Sequence, residues 1–232
     1  MGCDIHFYVE KKVDGVWQFQ GTVTKTEIDD ETCFDVSAPD FYDGRNYNLF
    51  AILADVRNGH GFAGVTTGEG FVPISDPRGV PDDASKEYKQ IVDSWDVDGH
   101  SHSYHTLRQL LDYDWTQSTR LTGWCSMKEW NRWIRWDRDH GESPESYRGS
   151  VSGAGVKHLT PAEADALFAG KNYDEREAIA EANPGTYAPA VWQNPYYRSG
   201  RTFLSETVPK LLKLAGGTQN LDDVRIVFFF DN

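Results

Sequence analysis

The sequence predicts an α+β fold: a small, mainly antiparallel sheet containing both the N- and C-terminal strands, with helices packed on one face and long loops between them. Three observations lead there. Residues 3–10, Cys-Asp-Ile-His-Phe-Tyr-Val-Glu, alternate apolar and polar side chains, the period of a strand with one buried face. Residues 224–230, Val-Arg-Ile-Val-Phe-Phe-Phe, are nearly continuously apolar, as in a strand buried on both faces. Between them lie segments with apolar residues at helical spacing and recognisable caps. Each terminal strand needs a partner, and the two supply one another.

In chain order, the first strand turns at Asp14-Gly15, a strong hairpin signal, and Val16-Trp17-Gln18-Phe19-Gln20 alternates as the returning strand. Residues 24–44 are acidic and turn-rich and read as surface. Leu49, Phe50, Leu53 and Val56 fall at helical spacing, which predicts a helix over 46–57 ended by Asn58-Gly59. Residues 58–83 are rich in Gly and Pro and form a long ordered loop. Residues 84–93 form a short polar helix. Thr106-Leu107-Arg108-Gln109 is a capping box that opens a helix through Leu111. Ser126 caps another helix, with Met127, Trp130 and Trp133 turned to a core. Thr160-Pro161-Ala162-Glu163 starts a further one, with Pro at the first helical position. Residues 183–200 return to Pro, Gly and Tyr. Residues 203–215 form an apolar-faced helix with Pro209 near its first turns, and Gly216-Gly217 stops it. The chain reads as one domain over 1–232, with 116–200 a helical and loop insertion.

Acids outnumber bases 36 to 23, for a formal charge of −13. So acidic a chain is repelled by bulk nucleic acid, although net charge says nothing about one cleft. Arg132, Arg135 and Arg138 interleave with Trp130, Trp133 and Trp136, but Glu129, Asp137 and Asp139 offset that stripe. Cys3, Cys33 and Cys125 have no paired spacing, which argues against a disulfide framework and a zinc knuckle. No stretch approaches the roughly 20 apolar residues of a membrane span. The expectation is a protein of a reducing cytoplasm with no membrane or bulk nucleic-acid partner. Its oligomeric state is open, with a homodimer among the options.

Chemistry concentrates in two places. On the first strand, Asp4, His6, Tyr8 and Glu10 share the face opposite Ile5, Phe7 and Val9. Near the middle, Asp96-Val97-Asp98-Gly99-His100-Ser101-His102-Ser103-Tyr104-His105 holds three of the seven histidines. His100 and His102 share a face if that segment is extended. Imidazole and carboxylate together suit a mixed N/O metal site, so Asp4, His6, His100, His102 and Asp231, which follows the last strand, are candidate ligands of a divalent ion. His6, His100 and His102 are the candidate catalytic groups, working with the ion or as a metal-free acid–base pair. Arg45, Tyr47, Arg57 and Tyr104 are candidate ligand-binding residues, since Arg grips phosphate and Tyr offers a stacking face. For each set the competing account is structural: a solvated sheet face, a polar loop capping the next helix, and surface Arg–carboxylate pairs.

The opening Met1-Gly2-Cys3-Asp4-Ile5-His6, the segment Arg45-Asn46-Tyr47-Asn48-Leu49-Phe50-Ala51-Ile52-Leu53-Ala54-Asp55-Val56-Arg57, and His100-Ser101-His102-Ser103 before a Thr-Leu helix start together resemble an uncharacterised family of tailed-bacteriophage and prophage accessory proteins. The likeness covers the first ~115 residues and the closing strand. It implies a phage accessory protein in a bacterial host cytoplasm. By analogy with such genes it implies a counter-defence role and a nucleotide signal as ligand. Three functions follow as expectations. The first is a hydrolase of a phosphoester or related bond in a small nucleotide-like molecule. The second is a non-catalytic protein that sequesters such a signal. The third is a protein-interaction inhibitor using the acidic, Trp-rich surface.

Overall fold

The computed structural model describes residues 2–28 and 31–231. In chain order its strands and helices are β1 (Asp4–Val13), β2 (Val16–Phe19), β3 (Thr22–Ile28), β4 (Glu31–Ser37), α1 (Tyr47–Ala54), α2 (Lys86–Trp95), β5 (His100–Thr106), α3 (Leu107–Asp112), β6 (Ser118–Ser126), α4 (Met127–Trp133), β7 (Lys157–His158), α5 (Pro161–Phe168), α6 (Tyr173–Ala182), β8 (Thr186–Pro195), α7 (Tyr196–Ser199), α8 (Val208–Ala215) and β9 (Val224–Asp231). They fall into two compact units. One comprises Met1–Asn58, Val72–Trp115 and Ser199–Asn232; the other comprises Gly59–Phe71 and Thr116–Arg198.

The first unit is built on an antiparallel sheet of order β2-β1-β9-β5. Both terminal strands lie side by side in it, in register from Asp4 opposite Asp231 to Lys11 opposite Val224. The apolar run of β9 is buried from Val224 to Phe230, as a central strand requires. Its side chains alternate between two cores. Ile226, Phe228 and Phe230 join Phe7, Val9, Leu49, Phe50, Leu53, Leu107, Leu110 and Leu211, so α1, α3 and α8 cover one face. Val227 and Phe229 join Phe19, Tyr88 and Ile91, so a single helix, α2, lies on the other. Full burial stabilises each Phe by roughly 1.5–3 kcal/mol, which makes β9 the energetic centre of this unit.

An ion pair is sealed inside. Arg225 donates from Nε to Glu10 at 2.7 Å, with both side chains almost wholly buried, and its guanidinium lies 3.9 Å from the Trp17 ring. Glu10 also accepts from the backbone N–H of Ser85, the N-cap of α2. The ion pair therefore ties the entry of α2 to the sheet.

Local signals explain most elements. Asn46 caps α1, and Asp55 ends it one turn early by adopting a left-handed conformation (φ 58°). Reciprocal capping boxes open α3 at Thr106 and α5 at Thr160. The apolar helix expected over 203–215 begins with a π-helical turn, Phe203–Thr207, before α8 takes over with Pro209 in its first turn. Three segments depart from expectation. Within the span read as surface, β3 and β4 pair as a hairpin, because the β-branched run Thr22-Val23-Thr24 outweighs the acids that follow; Asp29 and Asp30 lie outside the described residues. The imidazole-rich segment is a strand, β5, rather than a loop. Residues 183–200 contain a ten-residue strand, β8.

The second unit carries a sheet of order β6-β8-β7. Thr186, Ala188, Ala190, Trp192 and Asn194 alternate inward along β8. Pro189 is tolerated because β7 pairs only with Thr186 and Tyr187, so the strand has one neighbour at that point. Trp130 and Trp133 of α4 are buried and in contact, with ring centroids 5.4 Å apart. Among the described residues of both units, no helix is long and apolar enough to cross a membrane.

Candidate acid–base site

The register of β1 on β9 assembles the N-terminal polar face. Asp4 lies opposite Asp231 and His6 opposite Phe229, so these four side chains share one face at one end of the sheet. Asp231 accepts the backbone N–H of Asp4 at 3.1 Å through Oδ1, and its Oδ2 lies 3.3 Å from His6 Nε2. The imidazole is stacked on Phe229, with centroids 4.7 Å apart and planes 14° apart. Trp95, the last residue of α2, leans on it at 4.1 Å. The His6 and Asp231 side chains retain 20% and 26% of their exposure, so solvent reaches a contact that packing nevertheless orients. A carboxylate here favours the tautomer with its proton on Nε2 and leaves Nδ1 with the lone pair.

Asp4 is engaged elsewhere. Arg45 donates to its two oxygens, from Nε at 2.6 Å and from Nη2. These bonds hold the Asp4 carboxyl below the usual carboxylate range. Arg45 also lines a cleft of about 220 Å³ with Tyr42, Asp43, Glu206 and Lys210. Tyr47 accepts the Cys3 N–H through its hydroxyl, and Arg57 lies over the Tyr47 ring at 5.4 Å while donating to the Gly2 carbonyl. Cys3 is wholly buried, and burial pushes its thiol up in spite of a hydrogen bond to Arg57. Arg45, Tyr47 and Arg57 thus frame the end of the sheet, each held by groups of this chain.

The expectation that His100 and His102 share a face is overturned. Pairing between β5 and β9 places His100 opposite Phe230 and Ser103 opposite Phe228, which leaves Ser101 and His102 to face Phe229 alone. This is a β-bulge, with Ser101 in the left-handed region at φ 51°. The extra residue sends the two imidazoles to opposite faces. His100 stacks towards Phe230 at 6.1 Å, and its Nδ1 lies 3.0 Å from the Ser101 hydroxyl. His102 stacks on Phe229 at 5.1 Å, and its Nε2 has no hydrogen-bond partner among the described residues. Burial lowers the basicity of both; the Asp231 carboxylate opposes this at His100, and the His100 imidazole adds to it at His102.

The site residues named from sequence therefore sort into groups. Asp4, His6, Asp231 and His102 lie on one face around Phe229, and His100 lies on the other. Tyr104 sits further along β5 in the core under α2, its ring near Arg78 and Arg225 at 5.5 and 5.7 Å. Among the described residues, no group of three or more His, Cys, Asp or Glu is arranged to hold a metal ion. Two participants escaped sequence reasoning. Phe229 is hidden in an apolar run, and Trp95 ends a helix whose only visible signal is an aromatic just before the imidazole-rich segment. Scans of the chain against protein-family models, curated proteins and solved structures return no match.

Proposed function

We propose that this chain is a hydrolase that cleaves a phosphoester or related bond of a small nucleotide-like molecule by acid–base chemistry at His6. The observation that carries the reading is the 3.3 Å contact between His6 Nε2 and Asp231, made against Trp95 at the end of α2. A carboxylate beside an imidazole fixes its orientation and supports the imidazolium formed during proton transfer. Trp95 offers a ring face to a base, and Arg45 offers a fork to phosphate where that phosphate displaces Asp4. The expected divalent ion has two neighbouring donors here, His6 and Asp231, while Asp4 is turned to Arg45 and His100 lies across the sheet. The metal-free route is therefore the one proposed, and metal analysis tests the other. The resemblance to phage accessory proteins supplies the proposed setting, a bacterial host cytoplasm and a role against host defence.

The test is turnover of cyclic dinucleotides and NAD-derived signals by the wild type and by an Asp4→Ala/His6→Ala double mutant. Cleavage by the wild type and its loss in the variant support the reading; equal rates remove it. Recovery of unaltered ligand from the denatured wild type favours sequestration instead. One observation favours the interaction reading: Trp136 is 63% exposed and stacked on His140 at 3.7 Å. Loss of a host partner on Trp136→Ala, with the fold intact, supports that account.

A further inference from the structure

We infer that two copies of this chain associate through the open edge of β8, strand against strand about a two-fold axis at Trp192. The inference concerns the second unit alone and does not depend on the hydrolase reading.

The backbone hydrogen bonds show which groups of β8 are unused. β8 pairs with β6 from Tyr187 to Pro195, and with β7 only at Thr186 and Tyr187. Along β6, Arg120, Thr122 and Trp124 turn their backbone groups away from β8. The Arg120 carbonyl accepts from the Glu69 N–H, the Thr122 N–H donates to the Thr67 carbonyl, and Trp124 exchanges bonds with Arg148. Their partners in the antiparallel register are Gln193, Val191 and Pro189, whose backbone groups therefore point to the opposite edge. Tyr187 is next in that series, and its carbonyl accepts from the Leu159 N–H beside β7. From Pro189 to Pro195, no strand among the described residues lies against that edge. It offers the N–H and C=O of Val191 and of Gln193. Val191 is 44% exposed, and Gln193 is exposed as well.

This edge is complementary to itself. A two-fold axis at Trp192 sets Val191 opposite Gln193 of the second copy, and each such pair exchanges both of its N–H···O=C bonds. Pro189 then lies opposite Pro195, so no N–H faces another strand without an acceptor. The Pro195 carbonyl already has the Asn194 side-chain amide at 3.3 Å. Moving the axis by one residue either way sets a proline against Gln193 or Val191 and leaves that residue's carbonyl without a donor. With the axis at Trp192 the second copy's strand ends before it reaches Tyr187, so β7 keeps its place.

Charge points the same way. Strand edges that must stay unpaired are commonly guarded by charged side chains. Here no charged residue occurs from Ala182 to Tyr197, in a chain that is 25% charged, so two molecules of charge −13 meet where repulsion is least. An uncharged edge whose end prolines admit one fully bonded register fits a second copy better than a foreign strand of arbitrary sequence.

A strand-edge contact of this length buries less than a standard interface, so the expected dimer is weak, with a Kd above about 1 µM. Sedimentation equilibrium of the full chain from about 10 µM to about 1 mM, beside amide exchange at both ends of that range, tests it. A monomer–dimer equilibrium is expected. The Val191 and Gln193 amides should gain protection as concentration rises, while those of Ala190 and Trp192, which face β6, should not change. Val191→Pro is expected to weaken the dimer roughly 10-fold or more and to leave the β6 ladder intact, since the Val191 nitrogen points outward as that of Pro189 does. Val191→Glu, which sets like charges across the axis, replaces it if the proline variant does not fold. A monomer at every concentration overturns the inference. So does a dimer that leaves both amides unprotected, or one that forms equally well in these variants.

Discussion

His6 and Asp231 lie 225 positions apart in the chain, yet their side chains meet at 3.3 Å because β1 and β9 pair from one end to the other. Asp231→Asn keeps the shape and the acceptor for the Asp4 N–H but removes the charge that supports an imidazolium. Turnover is expected to fall by up to about 10²-fold, less than on loss of His6 itself, with little change in melting temperature. Steady-state kinetics beside a thermal melt check this; an unaltered rate would separate the carboxylate from the chemistry.

The Glu10–Arg225 pair is sealed in the sheet. Arg225→Met strands a buried carboxylate and should cost roughly 3–5 kcal/mol of stability, whereas a Glu10→Leu/Arg225→Met double variant should recover most of it. Asp83 also reaches Arg225, but its side chain is 64% exposed, and Asp83→Asn should stay within about 1 kcal/mol. Urea denaturation of the four proteins gives the comparison.

His105 is fully buried, with its Nε2 2.7 Å from the Leu53 carbonyl, and burial pulls its pKa from 6.5 to about 4. A depressed imidazole means that the unfolded chain binds the proton first. Stability is therefore complete above about pH 6.5 and falls as pH drops towards 4, by roughly 3 kcal/mol at most. His105→Phe should flatten most of that slope, although the Leu53 carbonyl then loses its donor. Unfolding midpoints at about pH 7.5 and about pH 5 measure the difference.

Ser101 occupies left-handed backbone space at φ 51°. Ser101→Gly should be neutral or mildly stabilising, and Ser101→Val should cost about 1–2 kcal/mol. Deleting Ser101 restores plain pairing, with His102 opposite Phe229 and His100 still opposite Phe230, and should leave the pairing from Ser103 onward unmoved. Amide exchange along β5 reports whether the register has moved.

Much of this was legible from residue order. The alternation of Ile5, Phe7 and Val9 and the run from Val224 to Phe230 placed both strands, and Asn46, Thr106, Ser126 and Thr160 announced their helices. The side-chain period also put Asp4 and His6 on a shared face, and Asp231 joins them through the antiparallel pairing of β9 with β1. The bulge was not legible: His-Ser-His-Ser looks the same in either register, and a one-residue slip is settled by what Phe228 and Phe230 pack against. Pro189 and Pro195 disguised β8, since prolines weigh against a strand until its missing neighbour is known. Trp95 was invisible as a site residue because its role depends on where α2 stops over the sheet.

The pairing of β1 with β9 also governs how this protein comes off the ribosome. The strand that must lie against β1 is made some two hundred residues after it. Through that interval Ile5, Phe7 and Val9 have no sheet to join, and helices α1, α3 and α8 lack the surface they pack on. The first unit must therefore fold after β9 is made rather than alongside its own synthesis, with its earliest strand held open to chaperones or to the wrong partner in the meantime.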